Sequence, residues 1–357
     1  MIKKYPFYFK VTVIMFGFVL LVYILATLRD VLVPLSFAML LAILLNPVTQ
    51  LLEKWHLPKV LSIAISIILG LIILTGIAYF LYMEIKGFSD DLATFKQKFE
   101  TLFVKIQHFA RTDFGINTKK QNEYIDQAEA GLKPVLATAM GTVLGGFAMA
   151  ILLPVYTFLF LYYKDLILKF LYDIFDDADE KNVREVLTKT KGAIQNYMLG
   201  LLLEALIVAT LNTIALLLIG IPYAVLLGVL GALLNVLPFI GGILAVLLPV
   251  LIATITKDGF HTQFWVVISY MFIQFIDNHF LVPYIVASKV RINALVSIVI
   301  VLMGGALWGI SGMFLSIPFI GVLKIIFDRL PDMKPWGMLL GVETPTRRSK
   351  LLRRKKV

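Results

Sequence analysis

Charged and amide side chains are scarce within the long apolar runs of this chain, so the few that occur there are the first candidates for chemistry. Glu204 lies about two turns into an apolar stretch running from roughly 197 to 219. A carboxyl at membrane depth can hold a proton or a cation and change charge as a cargo passes, or it can serve as a neutral, hydrogen-bonded packing group. Asp277, Asn278 and His279 fall near the end of another apolar run, just before Pro283. There they would form a polar gate or a coupling-ion site, or else a wet helix end. Asn235, close to Pro238 and Gly241, would offer its amide to a hydroxylated cargo, and Ser316, close to Pro318 and Gly321, stands in the corresponding place of a second segment. Hydrogen bonds between packed helices are the plainer role for both.

Other chemistries find no residues to carry them. There is no cysteine, which excludes disulfides and thiolate catalysis, and none of the four histidines has a partner at zinc-ligand spacing. No GxxxxGK[ST] loop or GxSxG elbow occurs, so neither ATP-driven transport by this chain alone nor serine-hydrolase catalysis is expected. The acidic run Asp176, Asp177, Asp179 and Glu180 lacks the glycine and terminal glutamate of an EF-hand loop and reads as a solvated helix start. The expectation is a non-enzyme with no metal and no cofactor beyond a coupling H+ or Na+.

The elements that must position these groups are membrane helices. The chain has 357 residues, 59% of them hydrophobic and 16% charged, with a mean hydropathy of +0.88; a soluble chain carries about 25% charged residues. Several runs approach the ~20 residues a helix needs to cross a hydrocarbon core. Lipid offers backbone groups no partner, so these runs must be helical. Spans are expected at about 11–28, 31–52 (ending near Asn46-Pro47), 61–83, 142–163, 197–219 and 262–282. Residues 1–83 thus form three transmembrane helices. Residues 84–140 turn polar, with Leu92, Phe95, Phe99, Leu102 and Ile106 at three- and four-residue steps, and read as an amphipathic helical insert outside the bilayer. Residues 141–327 hold the transporter core, and 328–357 form a basic tail with seven bases in its last eleven residues. That tail reads as a solvated end near anionic lipid, not as a nucleic-acid arm. The basic residues place both termini in the cytoplasm.

Two stretches fit single spans poorly. Residues 222–256 number 35, which as one helix would reach roughly 52 Å, and 294–327 are similarly long. Each is interrupted by glycines and a proline: Gly228-Val-Leu-Gly231 precedes Pro238-Phe-Ile-Gly241, and Gly309-Ile-Ser-Gly312 precedes Pro318-Phe-Ile-Gly321. Glycine permits close approach and proline removes a backbone donor, so each motif would free backbone groups at membrane depth. Paired interrupted segments at corresponding positions point to a transporter's midplane site. Two re-entrant hairpins meet these terms; two kinked ordinary spans packed through GxxG contacts also do.

The blocks YMLGLLLEALIVATLN (197–212), GIPYAVLLGVLGALLNVLPFIGG (220–242) and FIDNHFLVPYIVASKVRINALVSIVIVLMGGALWGISGMFLSIP (275–318) resemble, in order, the signature blocks of the autoinducer-2 exporter family of bacterial membrane proteins. The likeness covers nearly the whole chain. One departure is Asn293-Ala294, where the family commonly has a histidine or similar residue followed by proline. The resemblance implies an inner-membrane secondary transporter exporting autoinducer-2, a small furanone-type signal used in quorum sensing, or a related polar metabolite. Some relatives are regarded as sodium or lithium/proton antiporters, and the family also implies a homo-oligomer, plausibly a pentamer. A membrane scaffold that transports nothing is the third reading. The expected fold is therefore all-α and polytopic, with about eight membrane segments including the two hairpins. Its partners would be lipids and a small polar substrate or monovalent cation, with no nucleic acid.

Overall fold

A computed structural model describes residues 6–90, 151–173, 180–236, 241–257, 259–286, 292–330 and 333–342. The expected insert beyond Asp90, Pro238, most of the acidic run and the part of the basic tail beyond residue 342 lie outside the described residues. In order, the helices are α1 (Phe7–Thr27), α2 (Arg29–Lys54), α3 (Lys59–Asp90), α4 (Ile151–Tyr162), α5 (Lys164–Asp173), α6 (Glu180–Ile219), α7 (Ala224–Asn235), α8 (Gly241–Thr256), α9 (His261–Ile276), α10 (Ala294–Arg329) and α11 (Lys334–Leu340). α9 runs on as a π-helical stretch, Asp277–Val286. Six of these are long and apolar enough to cross a membrane, and α4 with α5, bent by 58°, makes a seventh if the pair is one span. The protein is a polytopic helical membrane protein. Its outward-facing leucines, isoleucines and phenylalanines have lipid as their solvent, and none of the most apolar window of α1 is buried.

Close packing falls to small and hydroxyl-bearing residues, since apolar burial gives no driving force between helices in lipid. Thr49 of α2 donates to Ser66 of α3 at 3.0 Å, and Ser66 and Ser62 are fully buried. Ala42, Ile63, Ile67 and Leu161 then join α2, α3 and α4. The expected end of α2 near Asn46-Pro47 needs correction: the helix continues to Lys54 with Pro47 inside it. Proline there removes one backbone donor, while Asn46 accepts from Lys164 at 3.4 Å, so the side chain is used in docking α5 and not in ending α2. Lys59 pairs with Asp165 at 2.7 Å beside it.

α7 and α8 form an antiparallel hairpin. A Cβ on Gly231 would lie 3.6 Å from that of Ala245, and one on Gly241 would strike the Leu234 carbonyl and sit 2.7 Å from Asn235 Cα. With 12 and 16 residues, the limbs reach about 18 and 24 Å at 1.5 Å per residue, short of a full crossing. Gly228 lets α7 lie against the backbone of Thr213 in α6, a contact that leaves no room for a side chain. α9 then runs antiparallel to α8, with Gln263 near Ala253 and Gln274 against Gly242.

α10 doubles back on itself as a second hairpin. At Trp308 (φ −130°, ψ 17°) and Gly309 (φ 62°, ψ −143°) the helix breaks and the chain turns back. Ser316 reaches the carbonyls of Ile300 and Gly312, and Gly304 packs on Gly312. The indole of Trp308 donates to Leu25 O of α1 at 2.9 Å. The break therefore sits at the GxxG motif. The expectation that Pro318–Gly321 interrupts this segment as 238–241 interrupts the first is corrected: Pro318 and Gly321 lie inside the returning limb. At the base, Asn293 caps α10 by accepting from Val296 N at 2.9 Å and donates to Leu339 O of α11 at 2.8 Å. The residue that departs from the family pattern thus supplies the helix start.

Candidate functional site

α6 and α9 run antiparallel, which stacks their polar residues in levels. Glu204 and Asp277 meet at one level; Val208 and Ile273 pack with Ala232 at the next; Asn212 and Tyr270 face Gly231 beyond that. Along α9 and its extension, Tyr270, Gln274 and Asp277 fall at i, i+4 and i+7, one helical face. Along α6, Tyr197 and Glu204 are likewise seven apart. Asp277 begins the π-helical stretch, whose wider turn carries Pro283 within it. Such turns are rare and concentrate at functional sites.

These faces line a cavity of about 1080 Å³. α6 supplies Tyr197 and Glu204, the tip of α7 supplies Asn235, and α8 supplies Gly242. Tyr270, Gln274, Asp277 and Asn278 close it from α9, and Ser297, Pro318 and Gly321 from α10. Both hairpins therefore contribute walls. Asn235 donates from Nδ2 to Asp277 Oδ2 at 2.7 Å. The Glu204 and Asp277 carboxyls line the same part of the cavity wall as electrostatic neighbours. Glu204 and Asp277 are 6% and 2% exposed, and Asp277 Oδ1 has no partner among the described residues. Two carboxyls held together away from water repel when both are charged, and a proton or a cation between them relieves that repulsion. Beside them, Gln274 Oε1 would be 2.7 Å from a Cβ on Gly242 and Asn235 Oδ1 3.5 Å, so a glycine keeps the two amides open to the cavity. The array can present carboxyl and amide oxygens to a monovalent cation, or acceptors and donors to a polar cargo.

The structure divides the residues singled out in the sequence. Glu204, Asn235, Asp277 and Asn278 come together, and Pro318 and Gly321 join the cavity wall. His279 does not: its ring stacks on Phe275 at 4.3 Å between centroids and points away, exposed. Gly241, first residue of α8, packs against the backbone of Leu234 and Asn235 while its neighbour Gly242 faces the cavity. Ser316 is buried between the limbs of α10, so it does not correspond to Asn235, which stands at a hairpin tip. The physical reason is the displaced break, which puts residues before the second proline inside a helix. Tyr197, Tyr270, Gln274 and Asn212 were missed. Their helical spacing, seven residues for Tyr197 and eight for Asn212 from Glu204, and seven for Tyr270 and three for Gln274 from Asp277, was the available signal.

This fold and cavity define a polytopic helical membrane protein with a largely apolar cavity between its helices and hairpins, into which a few carboxyl and amide groups project. Residues 11–332 match the AI-2E family transporter, and the chain belongs to that family. It is 26% identical over 318 residues to the "Putative transport protein YrrI" of Bacillus subtilis (strain 168), covering 86% of this chain and 88% of that one. It is also 26% identical over 339 residues to the "AI-2 transport protein TqsA" of Escherichia coli (strain K12), covering 92% and 95%. Its role is membrane transport.

Proposed function

We propose that the protein is a secondary transporter of the inner membrane that exports a small polar molecule of the autoinducer-2 kind. The observation that carries this reading is the cavity itself: the buried carboxyls of Glu204 and Asp277 beside the half-buried amides of Asn235 and Gln274, walled by both hairpins. Unpaired polar groups at membrane depth are costly, and a cargo that hydrogen-bonds to them offsets that cost. The name carried by the Escherichia coli relative supplies the substrate class. In this reading the short limbs of α7 and α8 enter and leave on one side of the bilayer, and movement of the hairpins against α6 and α9 opens the chamber to each side in turn. The basic residues favour cytoplasmic termini. The apolar outer faces would meet lipid or further copies of the chain.

The Glu204–Asp277 pair favours a second reading, in which a monovalent cation and a proton compete for the two carboxyls and the protein exchanges one for the other. Reconstituted vesicles separate the two. An exporter moves a labelled hydroxyfuranone; an exchanger moves protons when sodium or lithium is added and loses that response in Glu204→Gln and Asp277→Asn. Vesicles that do neither would refute both readings and leave the scaffold reading.

A further inference from the structure

About two turns from the Glu204–Asp277 level lies a second polar group of residues that the transport reading does not use. Asn212 of α6 is 2% exposed and its Oδ1 has no hydrogen-bond partner among the described residues; Tyr270 of α9 is 4% exposed and its hydroxyl has none. They are neighbours: a Cβ on Gly231 would lie 3.2 Å from Asn212 Nδ2 and 3.4 Å from the Tyr270 oxygen. With no side chain at Gly231, α7 packs closely over both of them without supplying a hydrogen-bonding group of its own. Tyr270 also lines the cavity. Between the two polar levels lies an apolar layer centred on Val208, Ile273 and Ala232. Buried polar atoms without partners are rare, because each forfeits its bonds to water and receives none in return. Here one of them, on Tyr270, lies in the wall of the cavity, and the other, on Asn212, lies behind it against Gly231.

We propose that Asn212 and Tyr270 form a second station of the transport path, one that takes a neutral hydroxyl group of the cargo. The amide oxygen accepts from that hydroxyl and the phenol can donate to it, a pairing suited to an alcohol and not to an anion, for which the Asn212 oxygen would be repulsive. The station lies about 10 Å along the helices from Glu204 and Asp277, by seven residues at 1.5 Å each. A cargo can therefore exchange hydrogen bonds with the carboxyl level for others farther along before it leaves. This proposal rests on the exporter reading above. A water molecule has the same hydrogen-bonding capacity, and the experiment distinguishes it from the cargo.

The test uses the full-length protein in proteoliposomes with two probes, a labelled hydroxyfuranone and its deoxy analogue, and with Tyr270→Phe, Asn212→Leu and Gly231→Ala. Tyr270→Phe should unfold at an unchanged or higher temperature, since it removes an unpartnered hydroxyl and keeps the ring. It should raise KM for the hydroxylated probe about tenfold, the worth of one hydrogen bond, and leave the deoxy analogue unaffected. Asn212→Leu should act likewise, and Gly231→Ala should slow both probes by narrowing the station. Equal behaviour of both probes in Tyr270→Phe would mean that the site holds only water, and would overturn the station while leaving the exporter reading intact. A marked fall in melting temperature would also overturn it, by showing that the hydroxyl bonds within the protein. Should the unmodified protein move neither probe, the exporter reading fails and the station with it.

Discussion

In the first hairpin the outgoing limb ends at Asn235 and the returning limb starts at Gly241, which lies against the carbonyl of Leu234, and Asn235 lines the cavity. In the second, the chain reverses at Trp308–Gly309, the tetrapeptide at 318–321 lies within the return limb, and the tip is tied to Leu25 of α1. One hairpin delivers a polar side chain to a carboxyl; the other closes its polar groups on itself, through Ser316, and adds walls. Gly-x-x-Gly and Pro-Phe-Ile-Gly are therefore permissive elements. Glycine allows a turn, as at Gly309, or an interhelical contact, as at Gly228, and the neighbouring helices decide which.

That contrast can be broken by substitution. The largest effect is expected for Gly241→Val, whose side chain would collide with the backbone of Leu234 and Asn235, atoms that cannot turn aside. We expect about 3 kcal/mol of destabilisation and little folded protein by size-exclusion chromatography. Next is Asn235→Ala, which removes the 2.7 Å hydrogen bond to Asp277. A hydrogen bond of this length is worth about 1.5 kcal/mol, so transport in vesicles should fall roughly tenfold while the protein still folds. Gly309→Ala meets no atom within 4 Å but must hold φ 62°, ψ −143°, a conformation almost confined to glycine. It should cost about 1.5 kcal/mol and appear as a lower melting temperature. The smallest effect is expected for Ser316→Ala, about 1 kcal/mol of stability from a hydroxyl bonded only to its own hairpin, with transport unchanged. If Ser316→Ala stopped transport as Asn235→Ala does, the two hairpins would have to be treated as equivalent after all.

The sequence went far toward the architecture because the bilayer imposes a single rule on every apolar run. Long stretches without charge must be helices, and 222–256 and 294–327 were visibly too long for one crossing. Glu204 and Asp277 were legible for the same reason, since a carboxyl in such a stretch is expensive enough to stand out. Asn212, Tyr270 and Gln274 did not stand out, because neutral polar side chains occur in membrane helices as ordinary packing groups. His279 misled by proximity: adjacent residues on a helix point in different directions, and the turn that aims Asp277 inward aims His279 outward.

Composition and run length were thus enough to establish a polytopic helical protein with a few costly polar groups, because solvation by lipid acts residue by residue. The meeting of Glu204, Asn235 and Asp277, the site of each hairpin's reversal, and the pairing of Asn212 with Tyr270 depend on the antiparallel register of α6, α7 and α9. Register is set by which small residues let which backbones approach, a property of pairs of helices that no single helix carries.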